Sequence, residues 1–167
     1  TATATGNVSD NGGWGADGFG ELTQIQIDAN TAVAVPTGGS TTVYFGQDGS
    51  YQGTTATGAA ASLLVNSTGT YTFTLLDNML ISGAAEQADN LGTVTFTGKD
   101  GDGDTATISL LLTVKDDVPG TMTAEPAAIV EDEQLTGGID EPGDATPDYT
   151  ATATGNVSDN GGWGADG

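Results

Sequence analysis

The residues best suited to chemistry in this sequence are the aspartates of the stretch KDGDGDTAT. Asp100, Asp102 and Asp104 alternate with glycines, which let the backbone wrap tightly. Carboxylate oxygens are hard ligands, so three of them on a short loop suit Ca2+ better than any softer metal ion. The loop is not an EF-hand, because Thr105 and Leu111 occupy the sixth and twelfth positions, where that motif needs Gly and Glu. We expect a calcium site here; the alternative is a hairpin turn whose acids serve solubility alone.

A second group of acids lies where one module would pass into the next. Asp116 and Asp117 stand directly before Pro119 in VKDDVP, and further acids follow in VEDEQL. A calcium ion held from both sides would stiffen such a joint, since its loss would leave like charges facing each other. The alternative is an acidic linker kept extended by charge repulsion. The further candidate ligands for this joint are Glu131, Asp132, Glu133, Asp10 and Asp17.

Residues 12–20, GGWGADGFG, match the nine-residue calcium-binding repeat GGxGxDxUx at every fixed position, where U is a large apolar residue. A β-roll requires consecutive copies that stack on one another, and the next nine residues do not repeat the pattern. We therefore expect the glycines to form a turn that tucks Trp14 against the core. Asp17 remains a candidate calcium ligand without a β-roll.

Composition excludes several classes of function. The chain has 23 acidic residues against only Lys99 and Lys115, and its net charge is −21. Binding to nucleic acid or to an anionic membrane surface requires basic residues, so neither partner is expected. Because His and Cys are absent, Ser-His-Asp and Cys-His nucleophiles, the usual zinc sites and redox dithiols are excluded as well. We expect a protein that is not an enzyme; a glycosidase-like pair of carboxylates is the alternative. No run approaches the roughly 18 apolar residues that span a membrane, so direct membrane insertion is not expected.

Hydrophobic residues recur with the period of two that is typical of half-buried strands. In TYTFTLLD the apolar residues alternate with threonines, and short turn sequences such as NSTG, GQDG and GDGD separate the runs. The pattern predicts an all-β protein, an antiparallel Ig-like β-sandwich with Greek-key connections and little or no helix. The residues expected to face the core are Ile25, Ile27, Val43, Phe45, Tyr71, Phe73, Leu75, Val94, Phe96, Ala106, Ile108, Leu110, Leu112 and Val114.

The chain repeats itself. Residues 150–167 are identical to residues 1–18, an offset of 149 residues that fits one period of a tandem array. We expect a sandwich module over residues 1–118 that lacks its opening segment. Residues 119–167 would then be the joint and opening segment of the next copy. The missing strand would come from the same chain, as in a circular permutation, or from a neighbouring chain by strand exchange.

Three stretches together, GNVSDNGGWGADGFGEL, GTYTFTLLDN and FTGKDGDGDTATISLLLTVKDDVP, resemble the tandem extender repeats of giant type I-secreted RTX adhesins. The resemblance covers nearly the whole period and implies an extracellular, calcium-rigidified module at the bacterial surface. Such a module binds adjacent copies of itself and projects a distal adhesion domain, for instance in biofilm formation. Asp100, Asp102, Asp104, Asp116 and Asp117 match the acidic motifs of the family, Glu131 and Asp132 fit more loosely, and the Trp of GGWGADG departs from the pattern. The alternative is a module that binds carbohydrate or a surface by avidity.

Overall fold

The computed structural model describes residues 2–80, 88–115, 120–130, 135–139 and 152–161. The chain divides into two units, residues 1–118 and 119–165. Nearly all regular structure in the described residues belongs to the first unit. The predicted joints at Asp116 and Asp117 and at Glu131 to Glu133 lie outside the described residues.

One sheet of the first unit consists of four antiparallel strands. They are β1 (Thr3–Asn7), β4 (Ser40–Gly46), β5 (Ala59–Asn66) and β6 (Thr70–Leu75). Their order across the sheet is β1-β6-β5-β4, so β1 pairs with a strand distant from it in sequence. β4, β5 and β6 pair in sequence order, with a short turn, residues 67–69, between β5 and β6 and a longer connection, residues 47–58, between β4 and β5.

The second sheet also has four antiparallel strands. They are β2 (Phe19–Ile27), β3 (Val33–Ala34), β7 (Ala88–Asp100) and β8 (Thr105–Lys115), in the order β3-β2-β7-β8. The chain crosses between sheets from β1 to β2, from β3 to β4 and from β6 to β7. These crossings bring β1 beside β6 and β2 beside β7, the Greek-key type of connection that was predicted.

The core lies between the two sheets and follows the predicted alternation. Val43, Phe45, Val94 and Phe96 are completely buried, and their neighbours along each strand are less so. Along β8 the exposed and inward residues alternate strictly, and the inward set becomes fully buried only near its end, at Leu112 and Val114. The all-β sandwich fold is thus confirmed. Partly buried apolar residues that complete the core are Phe19, Val33, Tyr51, Tyr71, Leu75, Ile108 and Leu110.

The second unit contains one short element among its described residues, a 3₁₀ turn at Val157–Asn160. Residues 120–130 have no strand pairing in the described structure, and all of them are exposed. That this unit opens a further copy of the module stays a prediction. Within the described residues, no helix is long and apolar enough to cross a membrane.

Candidate metal centre

Two loops meet at one end of the second sheet. The first, residues 12–18, leads into β2, and the second, residues 101–104, is the turn between β7 and β8. They become neighbours because β2 pairs with β7, with Phe19 opposite Asp100. The Gly101 N–H also donates a 3.1 Å hydrogen bond to the carbonyl of Gly18. Strand pairing therefore joins two acidic loops that are more than 80 residues apart in sequence.

Trp14 anchors the first loop. Its side chain is buried, its indole N–H donates to the carbonyl of Val8 at 3.4 Å, and its ring packs edge-on against Phe19 at 4.9 Å. The ring lies on Gly98 of β7, where a Cβ would come within 2.8 Å of it. A Trp needs such a close approach to fit against a strand, so a glycine at this position has a packing reason. The expectation that this loop tucks Trp14 against the core is confirmed.

The second loop is a tight hairpin turn organised by Asp100. One carboxylate oxygen, Oδ1, accepts hydrogen bonds from the N–H groups of Gly103 at 3.0 Å and Asp104 at 2.8 Å. The Asp100 N–H in turn donates to the carbonyl of Asp104 at 2.9 Å. Gly103 takes a φ of 104°, which side chains other than glycine rarely adopt. The loop is thus a hairpin turn, which is compatible with both sequence interpretations, and the turn fixes the direction of the Asp100 carboxylate.

Three carboxylates from the two loops lie together. Single oxygens of Asp17, Asp100 and Asp102 are all within 4.8 Å of one another. Calcium binds oxygens at about 2.3–2.6 Å, so two ligands of one ion are separated by at most about 5 Å. The spacing therefore fits Ca2+, which would complete its shell with backbone carbonyls and water. Asp100 is half-buried and the other two are exposed, so an ion bound here would remain open to solvent on one side.

The charges in this group act on each other. The pKa of the Asp100 carboxyl is lowered, first by a side-chain hydrogen bond with Asp102 and further by the backbone N–H groups of Asp104, Gly103 and Asp102. Two carboxyl groups can share a hydrogen bond only if one of them holds a proton. A bound cation would bridge two carboxylates in place of such a proton. Because the pKa is lowered on folding, these contacts stabilise the fold above the ordinary value of 3.8, and this contribution is lost as pH falls through the lowered pKa.

The other predicted ligands have different positions. Asp104 lies on the same hairpin and contributes backbone groups to it, but its carboxylate is not part of the three-acid group. Asp10 is exposed in the 3₁₀ turn Ser9–Asn11 and accepts a hydrogen bond from the Ser9 hydroxyl at 3.1 Å. The remaining predicted ligands, Asp116, Asp117, Glu131 and Asp132, lie outside the described residues.

The grouping of Asp17 with Asp100 and Asp102 was not predicted from the sequence. Asp17 was predicted as a ligand at the joint between modules, because no local pattern connects it with KDGDGD. The signal that could have found it is the position of the two acidic loops, one directly before β2 and the other directly after β7. Antiparallel pairing of those two strands brings the loops to the same end of the sheet.

The aromatic residues on which a recognition module would depend are only partly accessible. Trp14 is buried, and Tyr44 and Tyr51 are half-buried, with the Tyr51 ring 6.0 Å from that of Phe45. Across residues 2–80 and 89–115, every aromatic side chain is buried or half-buried.

The chain matches no protein-family model, and it has no significant match among curated proteins or solved structures. The functional interpretation therefore rests on the fold, the internal repeat and the acidic loops.

Proposed function

We propose that this chain is a structural extender module of a bacterial cell-surface adhesin, repeated in tandem and stiffened by calcium. The 18 identical residues at an offset of 149 support tandem repetition. The period is long enough for a separate domain, and the sandwich of the first unit has its own apolar core. Identical modules add length to a protein, whereas a binding specificity seldom needs every copy unchanged. Perfect repetition therefore favours a spacer over a recognition module.

The composition favours bound calcium as the ion that stabilises the fold. A net charge of −21 destabilises a compact state through self-repulsion, and the chain has no cysteine with which to form disulfides. Bound cations neutralise such charge and stabilise only the folded state when their ligands come from distant segments. The three-acid group formed by Asp17, Asp100 and Asp102 is the observation that carries the calcium proposal.

The proposal extends to the location and partners of the module. Extracellular fluid contains calcium at millimolar concentration, which is the range in which extracellular modules bind it. We place the repeat outside the bacterial cell, where its partners are adjacent copies of itself. Another part of the parent protein would then carry the adhesive function.

Calorimetric titration of the chain with calcium tests the site. We expect saturable binding that Asp102→Asn weakens by at least about tenfold, because a ligand charge is lost from the three-acid group. Asp48→Asn is the matched control. Asp48 also accepts hydrogen bonds within a hairpin turn, from the Ser50 N–H at 3.0 Å and the Ser50 hydroxyl at 2.6 Å. The Asp48→Asn substitution removes the same charge, but Asp48 lies outside the three-acid group, so calcium binding should change little.

Two results would contradict the proposal. Absence of calcium binding at millimolar concentration would remove the site. Equal weakening by Asp48→Asn and Asp102→Asn would show that calcium responds to overall charge and not to the three-acid group. Specific, saturable binding of the calcium-loaded chain in a glycan screen would instead support the recognition module.

A further inference from the structure

The sandwich is open along one side. Among the described residues, β1 and β8 each pair with a neighbouring strand on one side only, and they border the same gap between the two sheets. A groove of about 190 Å³ follows this gap, with Ala4, Leu75 and Val114 among its lining residues. We call this groove the seam. Unpaired strand edges beside an apolar groove are a template for the addition of a further strand.

Ala4 shows that the seam is uncovered. It lies directly opposite Phe73 of β6, whose side chain is buried, so Ala4 stands on the core-facing side of the sheet. Ala4 is nevertheless exposed, as are its neighbours Thr3 and Thr5. In a closed sandwich the core-facing residue would be buried while the outer ones remain exposed. Within the part of the chain that the structure describes, no layer covers the inner face of β1.

Residues 121–130, TMTAEPAAIV, have the pattern of the missing strand. Every second position is apolar, from Met122 to Val130, so an extended conformation would place these residues on one face. All of these residues are exposed, with 38% of Met122 and 54% of Val130 accessible, and no strand pairing involves them in the described structure. Pro126 has no N–H to donate, which suits a strand at the edge of a sheet. The other face of the pattern begins with Thr121, Thr123 and Glu125 and ends with Ala127 and Ile129.

The repeat connects this segment to the seam. Residues 119–149 lead into the repeated stretch that begins at Thr150, within which the second copy of the β1 sequence begins at Thr152. In a tandem array, one such segment therefore precedes every β1, the strand that borders the groove. Both the segment and the seam have an apolar face. Because the segment precedes β1 in every period, we infer that it packs against the groove that β1 borders.

We propose that residues 121–130 of a second copy of this chain dock in the seam and add a strand beside β1 and β8. The donor segment and the acceptor seam are different surfaces, so the contact is heterologous. Such a contact forms rings if its rotation closes and open chains if it does not. The chain consequently associates with itself in a concentration-dependent way that does not require calcium.

Sedimentation equilibrium of the full chain in excess EDTA tests this proposal separately from any calcium-mediated contact. The native chain should self-associate. Val130→Asp in the donor segment should weaken association by at least about tenfold, because it puts a charge on the apolar face. Ile139→Asp is its control, since Ile139 is 88% exposed and lies outside the segment. In the seam, Ala4→Asp should weaken self-association as Val130→Asp does. Its control is Thr5→Asp, which alters the opposite face of the same strand.

Mixing the two defective variants sharpens the test. Chains with Val130→Asp keep an intact seam, and chains with Ala4→Asp keep an intact segment, so a mixture should restore one contact and give a one-to-one heterodimer. A native chain that stays monomeric at every concentration would overturn the proposal, including a monomer whose segment occupies its own seam. Self-association that Val130→Asp leaves unchanged would overturn it as well, whether or not Ala4→Asp still folds.

Discussion

The same ten residues, TATGNVSDNG, occur twice in the described structure, at Thr3–Gly12 and at Thr152–Gly161. In both copies the side-chain oxygen Oδ1 of the asparagine, Asn7 or Asn156, accepts two hydrogen bonds from the serine two residues further on. The distances to the Ser N–H and hydroxyl are 3.1 and 2.9 Å in the first copy and 3.1 and 2.8 Å in the second. A 3₁₀ turn follows, and a glycine with φ near 70° ends it in each copy.

The surroundings of the two copies differ. In the first copy, residues 3–7 form β1 against β6, the Val8 N–H donates to the carbonyl of Gly69 at 2.9 Å, and Val8 is only 3% exposed. In the second copy, residues 152–156 form no strand, and Val157 is 63% exposed. The turn is therefore encoded by the local sequence, because its hydrogen bonds lie within three residues. The strand and the burial of the valine come from tertiary packing, which the second copy lacks.

The largest expected difference between the copies concerns the valine. Val8→Asp would bury an unpaired carboxylate in the core and should lower the free energy of unfolding by at least about 3 kcal/mol. Val157→Asp changes an exposed side chain and should alter stability by no more than about 0.5 kcal/mol. Urea unfolding followed by circular dichroism measures both. Equal losses would mean that the second copy is packed as well as the first.

A smaller difference is expected at the glycine before the asparagine. A Cβ on Gly6 would collide with the ring of Tyr71, which itself packs near Phe96 at 5.8 Å, so Gly6→Ala should cost about 1–3 kcal/mol. At Gly155 the nearest atom to a Cβ would be the Glu125 Oε2 at 3.5 Å, an ordinary contact. Gly155→Ala should leave stability unchanged or raise it slightly. The same urea titration distinguishes them, and a cost at Gly155 similar to that at Gly6 would contradict this account.

The smallest energetic effect is expected at the asparagine. Here the structure of the second copy should change more than that of the first. Asn7→Ala and Asn156→Ala each remove the two turn hydrogen bonds that the asparagine accepts, together worth about 1 kcal/mol. In the first copy, β1 pairing and the buried Val8 still hold the backbone, so the Ser9 amide should keep its chemical shift dispersion. In the second copy the described residues 152–156 pair with no strand and Val157 is exposed, so the Ser158 amide should move toward its random-coil shift. A retained turn in Asn156→Ala would show that something beyond the local sequence supports it.

The same distinction explains how much could be predicted from the sequence. Alternation placed Val94, Phe96 and Leu112 in the core correctly, because one buried face imposes a period of two whatever the neighbouring strand is. The convergence of Asp17 with Asp100 was not predicted, since it depends on the pairing of β2 with β7 across more than 70 residues. The exposure of Ala4 could not be predicted either. Its position on the inner face follows from alternation, but the open seam depends on which strands border it.

Thermal unfolding of the native chain tests our proposal that calcium is part of the folded module. The midpoint would be measured in excess EDTA and again in millimolar calcium. Because the three carboxylates come together only on folding, calcium bound by them should raise the stability by RT ln(1 + [Ca2+]/Kd), and the midpoint should rise with it. A substantial rise that Asp102→Asn reduces and Asp48→Asn does not is the predicted result. An unchanged midpoint would contradict the account, and the acidic loops would then serve as turns alone.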